Sequence, residues 1–196
     1  MYAKYLKRIF DLIISIIVLP IFVVIFIVVA ILIKLDDGGP VIYKSKRIGK
    51  NFKIFYMYKF RSMRVDAPNL LNEDGSTYNS KSDPRVTKIG KFIRETSIDE
   101  TAQIINVFIG NMSLIGPRAG DVESIDTYSD DEKDKTLVKP GITGYTQAYY
   151  RNKLSVHYKR QMDVWYAHNV NFILDVKIFF KTIFTVIRRD GLYTNE

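Results

Sequence analysis

An almost unbroken apolar run occupies residues 12–33 and limits the possible folds of this chain more than any other feature. Only Ser15 and Pro20 interrupt it. At about 1.5 Å per residue, roughly 22 helical residues extend about 33 Å, which is just enough to cross a bilayer. The run is too long for a cleaved signal peptide and has no small-residue cleavage pattern. We therefore predict a membrane helix in residues 1–37 and a catalytic or binding domain in residues 38–196.

Positive charge lies on both sides of the apolar run. Lys4, Lys7 and Arg8 precede it, and four cations follow it closely: Lys34, Lys44, Lys46 and Arg47. Because Lys and Arg mark the cytoplasmic side, a straight span would export one basic flank. Pro20 removes a hydrogen bond near the middle and favours a kink. These features favour a re-entrant helix, which dips into one leaflet and returns, over a helix that crosses the bilayer.

The composition limits which partners, reaction types and metal sites are possible for this chain. A net charge of +8 and a pI near 9.5 predict an anionic partner: nucleic acid, an anionic membrane surface or a phosphorylated substrate. The absence of cysteine excludes disulfides, thiolate catalysis and cysteine-ligated metals. The two histidines, His157 and His168, lie outside any His-Glu-x-x-His motif, which argues against a zinc site or a serine–histidine triad. Any metal should be a hard cation with oxygen ligands.

Residues 41–48 and 52–60 are aromatic and β-branched, and predict a hairpin around Gly49-Lys50-Asn51. Their interleaved cations and aromatic rings are typical of nucleic-acid binding, or of a surface that lies against anionic headgroups. The neighbouring apolar run favours the second interpretation, a surface that lies against anionic headgroups. Residues 66–84 are polar and predict a loop over a site.

Two adjacent carboxylates, Asp99 and Glu100, stand where a helix should begin. Ser97, three residues before Glu100, predicts a capping box with Ser97 as the N-cap. Asp99 would then lie in the first turn, where the helix dipole favours its ionised form. Two interpretations stay open, a catalytic pair or a helix cap without chemistry. Considered alone, the two adjacent carboxylates favour the helix-cap interpretation. The apolar stripe of this helix comprises Ile98, Ala102, Ile104, Ile105, Phe108 and Ile109.

The remaining segments predict an α+β fold that is mainly helical. A helix is expected at 86–94, and an extended segment at 112–115 leads to the turn Gly116-Pro117-Arg118. Arg118 is either a fixed phosphate contact or an ordinary surface arginine. We interpret residues 120–135 as a solvated acidic helix without chemistry. Amphipathic helices are predicted at 156–168 and 172–188, and the second lies either in the membrane interface or in the core.

In this order, the segments resemble the monotopic phosphoglycosyltransferases, bacterial sugar transferases that begin exopolysaccharide, capsule and glycoprotein-glycan assembly. The resemblance covers nearly the whole chain. Its motifs are Lys7-Arg8-Ile9-Phe10-Asp11, Gly39-Pro40-Val41, Arg47-Ile48-Gly49, Tyr58-Lys59-Phe60-Arg61-Ser62-Met63, Thr87-Lys88-Ile89-Gly90 to Arg94, Ser97-Ile98-Asp99-Glu100, Gln103, Asn106-Val107, Met112-Ser113-Leu114-Ile115-Gly116-Pro117-Arg118, Lys139-Pro140-Gly141-Ile142-Thr143-Gly144, Gln147, Arg151-Asn152 and Asp175-Val176-Lys177-Ile178. The chain departs from the family pattern at Pro20, Thr101-Ala102, Ala119 and Tyr149-Tyr150, and the departures near Ala119 and Tyr149 leave the sugar open.

The resemblance implies transfer of a sugar 1-phosphate from a UDP-sugar to a polyprenyl phosphate, usually undecaprenyl phosphate, with release of UMP. Asp99 would be the nucleophile and a Mg²⁺ ligand, and Glu100 would orient or deprotonate. The residues expected to bind substrate are Lys59, Arg61, Arg94, Arg118, Arg151 and Asp175.

The expected fold has a re-entrant membrane helix with a proline kink, a small hairpin and a compact catalytic domain with interfacial amphipathic helices. The expected location is the bacterial cytoplasmic membrane, with the catalytic domain in the cytoplasm against inner-leaflet lipids. Nucleic acid is not an expected partner, and the oligomeric state is open, with a homodimer as one form. The alternative function is a membrane-tethered nucleic-acid binder or a scaffold without catalysis.

Overall fold

The N-terminal apolar run forms one long helix in the computed structural model, which describes residues 1–68, 70, 78, 80–151 and 154–188. Helix α1 spans Lys7–Asp36 after a short π-helical turn, and Pro20 lies inside it without ending it. Within the described ranges, it is the helix long and apolar enough to cross a membrane, and most of its apolar surface is exposed. This exposed surface indicates membrane association. The re-entrant bend stays a prediction.

The rest of the described chain is α+β and mainly helical, as predicted. The other helices are α2 (Lys88–Glu95), α3 (Gln103–Ile109), α4 (Asp130–Lys133), α5 (Tyr145–Tyr149), α6 (Val156–His168) and α7 (Phe172–Arg188). The strands are β1 (Ile42–Ile48), β2 (Ile54–Phe60), β3 (Ser113–Ile115), β4 (Gly120–Asp121) and β5 (Gly141–Thr143). Short 3₁₀ turns occupy Lys50–Phe52, Ile98–Ala102, Val122–Thr127 and Asp134–Leu137.

The hairpin prediction is confirmed. Strands β1 and β2 pair antiparallel from Ile42 opposite Phe60 to Ile48 opposite Ile54. Strand β4 pairs with the other edge of β1, so the sheet order is β2-β1-β4. Phe55 and Met57 alternate with exposed residues on β2 and are buried, as expected for a strand with one covered face.

The outer edge of β2 is closed by a side chain from α3. Asn106 is fully buried. Its Oδ1 accepts a hydrogen bond of 2.9 Å from the Tyr58 N–H, and its Nδ2 donates one of 2.7 Å to the Tyr56 carbonyl. The amide thus satisfies strand groups that would otherwise be unpaired, and it fixes β2 against α3.

One face of α1 packs in the core of the domain. Phe22, Val29 and Ile33 are buried there against a cluster from the other elements: Phe60, Ile93, Ala102 and Ile104. Near the start of α1, buried Asp11 accepts hydrogen bonds from the Leu114 N–H at 2.9 Å and the Ser113 hydroxyl at 3.1 Å. Apolar packing and polar contacts therefore hold α1 to the domain along much of its length.

The two glycine-rich turns lie against each other. Strands β3 and β5 are parallel, and the Gly116 N–H donates to the Thr143 carbonyl at 2.8 Å. A Cβ at Gly141 would lie 2.1 Å from the Gly116 nitrogen, and one at Gly144 would lie 2.0 Å from the Gly116 oxygen. Because only glycine permits this approach, the contact fixes the turn that carries Arg118.

The predicted solvated helix at 120–135 is wrong. The segment contains β4, a 3₁₀ turn and α4, and it buries Glu132 and Lys135. Glu132 pairs with Arg160, and Lys135 pairs with Asp163 at 2.9 Å, both partners lying on α6. A charge pattern alone indicates solvent exposure, whereas these charges are paired with cations and anions distant in the sequence.

Helices α6 and α7 are confirmed at the predicted positions. Ile178 of α7 is fully buried with Tyr166 and Ala148. The helix also exposes a broad apolar surface formed by Phe172, Ile173, Phe179, Phe180, Ile183, Phe184 and Ile187. Helix α7 therefore contributes to the core and presents apolar surface outward, and its placement in the membrane interface stays a prediction.

Candidate active site

The carboxylate pair lies in the 3₁₀ turn Ile98–Ala102, between α2 and α3. The predicted capping box is wrong here, because Ser97 has a left-handed backbone (φ 57°) and its side chain makes no capping hydrogen bond. Helix α2 ends at Glu95, and only Thr96 and Ser97 connect it to the next turn. So short a reversal requires the left-handed conformation, whereas a capping serine adopts an extended backbone.

Glu100 is held between two cations that reach it from different elements. Lys59 of β2 donates to its Oε1 at 2.7 Å, and Arg118 Nη1 lies 3.5 Å from the same oxygen. Burial alone would raise the pKa of Glu100, but Lys59 and Arg118 outweigh it and bring the pKa to about 2. Glu100 is therefore ionised at neutral pH and orients both cations.

At Asp99, the effects that raise the pKa are larger than those that lower it. Burial raises its pKa, Glu100 raises it further, and Lys59, Arg94 and Arg118 lower it, so that the pKa is about 6. The first-turn position is expected to favour the ionised form, and burial of the carboxyl opposes it. At pH 7 about nine tenths of the molecules still carry ionised Asp99, and its carboxylate is more basic than an ordinary one.

The structure brings together four of the predicted site residues besides Asp99: Lys59, Arg94, Glu100 and Arg118. Arg94 lies at the end of α2 and Arg118 follows the Gly-Pro turn, with over half of its side chain exposed at 57%. Arg151 follows α5 with a left-handed backbone (φ 47°), and its neighbour Asn152 lies outside the described residues. Its substrate contact stays a prediction.

Arg61 and Asp175 are bonded to parts of the fold away from the pair. Buried Arg61 forms an ion pair with Asp37 and donates to the carbonyls of Pro40 at 2.6 Å and Met63 at 2.8 Å. Asp175 accepts from Lys7 Nζ at 2.5 Å, and from two tyrosine hydroxyls at 2.6 Å, those of Tyr2 and Tyr166. These contacts attach both ends of α1 to the domain. A role in substrate binding stays a prediction for both residues.

A shallow depression lies beside the pair and includes two of its cations. Its lining comprises Arg47, Met57, Lys59, Gln103, Arg118, Ala119, Gly141 and Ile142. Among the lining residues, Gln103 was predicted only as a family motif residue. The same holds for Asn106 of α3, which fixes strand β2 and therefore the position of Lys59 on that strand. The signal that could have found both is a polar amide on the face of α3 that otherwise buries Ile104 and Val107.

The residues fit a magnesium ion with few protein ligands. No group of three histidine, aspartate or glutamate side chains in the described part of the chain is placed to hold a metal. Glu100 is engaged with Lys59 and Arg118, so Asp99 is the carboxylate available at this site. Mg²⁺ commonly binds through one or two carboxylates, several waters and substrate phosphates, and a single Asp99 ligand suits that mode.

A basic carboxylate among cations, on a chain with an exposed apolar helix, suits transfer of a phosphorylated group at a membrane. The comparisons agree with this chemistry. An undecaprenyl-phosphate galactose phosphotransferase of Salmonella typhimurium is 38% identical over 202 aligned positions, which cover 97% of this chain and 42% of that protein. The uncharacterized sugar transferase EpsL of Bacillus subtilis is 38% identical, over 95% of this chain and 90% of EpsL. The exopolysaccharide production protein PSS of Rhizobium leguminosarum is 35% identical, over 94% of this chain and 96% of PSS.

The chain thus spans about two fifths of the length of the Salmonella relative and nearly all of the other two. A sequence model of the bacterial sugar transferases matches residues 2–189, almost the entire chain. The chain belongs to the bacterial sugar transferase family.

Proposed function

We propose that this protein transfers a sugar 1-phosphate from a UDP-sugar to a polyprenyl phosphate such as undecaprenyl phosphate, and so initiates assembly of a bacterial surface glycan. The observation that carries the proposal is the placement of Asp99, with its raised pKa, beside Glu100, which Lys59 and Arg118 hold. The names of the relatives, a phosphotransferase acting on undecaprenyl phosphate and an exopolysaccharide production protein, support the substrate classes.

The reaction proceeds in two displacements at one phosphorus atom. An Asp99 carboxylate oxygen attacks the β-phosphorus of the UDP-sugar, and the bond from that phosphorus to the bridging oxygen breaks. UMP leaves with the electron pair, and the sugar phosphate is bonded to Asp99. A phosphate oxygen of the polyprenyl phosphate then attacks the same phosphorus. The bond to Asp99 breaks, which restores the carboxylate and yields a polyprenyl diphosphate sugar.

The surrounding side chains supply charge and position. Lys59, Arg94 and Arg118 neutralise the phosphate oxygens in both displacements. Glu100 keeps Lys59 and Arg118 directed toward Asp99. When bound, Mg²⁺ supplies further charge neutralisation for the diphosphate, with Asp99 as its protein ligand.

We further propose that α1 is re-entrant, and that the domain lies on the cytoplasmic face of the cytoplasmic membrane with the exposed surface of α7 in the interface. Both ends of α1 bond to the same domain, through Lys7 with Asp175 at one end and Asp37 with Arg61 at the other. A bilayer-crossing helix would place its ends on opposite sides. The basic flanks and Pro20 support the same placement.

The reaction is tested by UMP release from a panel of UDP-sugars, with undecaprenyl phosphate and Mg²⁺ and the full chain in detergent. We expect release with at least one donor, and a loss of about 10³-fold or more in Asp99→Asn. Asp131→Asn, which changes an exposed carboxylate on α4, is the matched control and should retain activity. Without the lipid acceptor, mass spectrometry should find the sugar phosphate on Asp99. Full activity of Asp99→Asn would remove Asp99 as the nucleophile.

The topology is tested separately with single cysteines, because the native chain has none. Ala3→Cys before α1 and Ser45→Cys after it should both resist an impermeant thiol reagent in intact cells and react after permeabilisation. Labelling of Ala3→Cys alone in intact cells would establish a bilayer-crossing helix instead.

A further inference from the structure

Near its start, helix α1 carries two charged side chains that the proposed reaction does not use. Arg8 and Asp11 stand three positions apart in the motif Lys7-Arg8-Ile9-Phe10-Asp11, so they are neighbours on the surface of the helix. Each bonds to an element far along the chain, 99 positions away for Arg8 and 103 for Asp11. A basic flank that only marks the cytoplasmic side of a membrane helix does not require such contacts.

Arg8 holds the end of α3. Its Nη1 donates to the Val107 carbonyl at 2.6 Å, and its Nη2 donates to the Phe108 carbonyl at 2.9 Å. A guanidinium suits the last carbonyls of a helix, where the helix dipole is negative. Asn106 of the same helix holds strand β2 next to Lys59. Arg8 therefore fixes the helix that places Lys59.

Asp11 holds β3. Its carboxylate is buried, and one oxygen, Oδ1, accepts from both the Leu114 N–H at 2.9 Å and the Ser113 hydroxyl at 3.1 Å. The Gly-Pro turn follows β3 directly, so the Asp11 contact lies only four positions before Arg118. Asp11 therefore fixes the strand that places Arg118.

The two elements meet at the carboxylate pair. Lys59 and Arg118 reach the same oxygen of Glu100 from β2 and from the turn after β3, at 2.7 Å and 3.5 Å. The spacing of these cations depends on how the two elements lie relative to each other, and one turn of α1 holds both elements. We propose that Arg8 and Asp11 are positioning residues, which set the spacing of the two cations around the carboxylate pair. This inference rests on the proposed function and gives the membrane helix a part in phosphoryl transfer.

Arg8→Lys separates positioning from the role of a basic flank. The variant keeps the positive charge that marks the cytoplasmic side and replaces the planar guanidinium. We expect kcat for UMP release to fall about tenfold to a hundredfold, because a displacement of about 1 Å can cost that much. Arg8→Met should lose at least as much. Lys4→Met, which removes an exposed cation from the same flank, is the matched control and should retain activity.

Two variants of Asp11 differ in whether they keep the acceptor. Asp11→Asn keeps an oxygen at the position of Oδ1, so it should retain more activity than Asp11→Leu. Asp11→Leu leaves the Leu114 N–H unpaired and should slow UMP release about as much as Arg8→Lys does. Activity is expressed per folded molecule, because Asp11→Leu should also unfold at a lower temperature.

The pH profile separates positioning from a general loss of structure. Lys59 and Arg118 both lower the pKa of Asp99, so displacing either cation should move the acid limb of kcat/KM to higher pH. Partial unfolding would lower the rate and leave the limb in place. Arg8→Lys and Asp11→Leu should both shift the limb, and Lys4→Met should not.

Double variants test whether each positioning residue acts through its cation. In the Lys59→Met background, Arg8→Lys should cause little further loss of UMP release. The same is expected of Asp11→Leu in the Arg118→Met background. Residues that act through a shared partner give losses that do not multiply, whereas independent sites do.

Three outcomes would overturn the inference. Wild-type activity and an unmoved acid limb in Arg8→Lys would leave Arg8 as a basic flank only. Equal activity of Asp11→Asn and Asp11→Leu would show that the bonds to β3 do not matter to the reaction. Losses that multiply fully in the double variants would separate both residues from the two cations. With an active wild type, each of these results leaves the proposed function standing. If the wild type releases UMP from no UDP-sugar, the proposed function fails, and this inference fails with it.

Discussion

Two segments of this chain share the pattern Ser-x-x-Glu, and they fold differently. In Ser97-Ile98-Asp99-Glu100 the serine is left-handed and caps nothing. In Ser129-Asp130-Asp131-Glu132 the serine is extended and the capping box is formed, with the Ser129 N–H donating to Glu132 at 3.2 Å. The pattern therefore predicts a cap only where the preceding chain is free to approach in an extended conformation. Ser97 follows α2 too closely for that.

The two glutamates differ in how completely the protein satisfies them. Glu132 is buried; its Oε1 lies 2.8 Å from His157 Nδ1, and its Oε2 accepts from Arg160 at 3.0 Å. Glu100 keeps 25% of its side chain exposed, beside an Arg118 side chain that is 57% exposed. A saturated carboxylate stabilises the fold, whereas a partly open one among cations leaves those cations able to bind an anion.

The largest expected effect of breaking this contrast is on catalysis. Glu100→Gln keeps the shape of the side chain and removes the charge that orients Lys59 and Arg118. We expect UMP release to fall about 10²-fold or more, while the free energy of unfolding changes by about 1 kcal/mol or less, since the pair is partly exposed. Steady-state UMP release and urea unfolding measure the two effects. A loss of stability with normal activity of the folded protein would make Glu100 structural.

The second prediction is the opposite result for Glu132→Gln: a large loss of stability and no loss of activity. Glu132→Gln leaves the mostly buried guanidinium of Arg160 without its anion, and we expect a loss of about 3 kcal/mol in the free energy of unfolding. The activity per folded molecule should be unchanged. Glu123→Gln, which changes an acid in the Val122–Thr127 turn that pairs with no described residue, is the control. A normal unfolding midpoint for Glu132→Gln would contradict a structural role.

The third prediction, on the pH dependence of stability, also tests the structural role of Glu132. Burial would raise the pKa of Glu132, but the hydrogen bonds from Arg160, His157 and the Ser129 backbone hold it below its usual value. The stabilisation is therefore present above the unfolded-state pKa of about 4.3 and is lost as the pH falls through the lower folded-state pKa. Glu132→Gln should flatten this acid loss of stability, as measured by urea unfolding between about pH 3 and 6.

Local patterns predicted the elements that depend on local contacts. The hairpin β1–β2 and the helices α6 and α7 were predicted, because their periodicity or turn residues lie within the element itself. Their burial was less predictable. The apolar face of α7 is wide enough for either a core or a membrane, and the structure uses part of it for the core.

The site was predictable in residue type and only partly in geometry. Local patterns made Asp99, Glu100 and Arg118 candidates. The family resemblance was needed to assign their roles and to add Lys59, because the juxtaposition of these residues depends on contacts between positions up to 41 residues apart. The pairing of Glu132 with α6 was missed for the same reason, since Arg160 is 28 residues away. Tertiary pairs of this kind leave no periodic signal in one sequence.

The fourth prediction concerns the acid limb of the pH–rate profile and has a smaller effect. In the proposed mechanism the attacking group is ionised Asp99, whose pKa is about 6, so kcat/KM should fall about tenfold per pH unit well below pH 6. Lys59 lowers that pKa, so Lys59→Met should move the acid limb to higher pH, in addition to slowing the reaction. Profiles are measured at one Mg²⁺ concentration, with Lys46→Met, an exposed cation on β1, as the control. An unmoved limb would show that another group limits the reaction in acid.

The smallest expected effect compares the two serines directly. Ser129→Ala removes the hydroxyl that accepts from the third residue of α4, and we expect a loss of about 1 kcal/mol in the free energy of unfolding. Ser97→Ala removes a hydroxyl that caps nothing and keeps the Cβ, so the left-handed backbone is strained equally before and after, and the change should be within about 0.5 kcal/mol. Urea unfolding of both variants under the same conditions measures the difference. If Ser97→Ala proved the costlier of the two, Ser97 would be a functioning cap in solution, and the carboxylate pair would begin a regular helix after all.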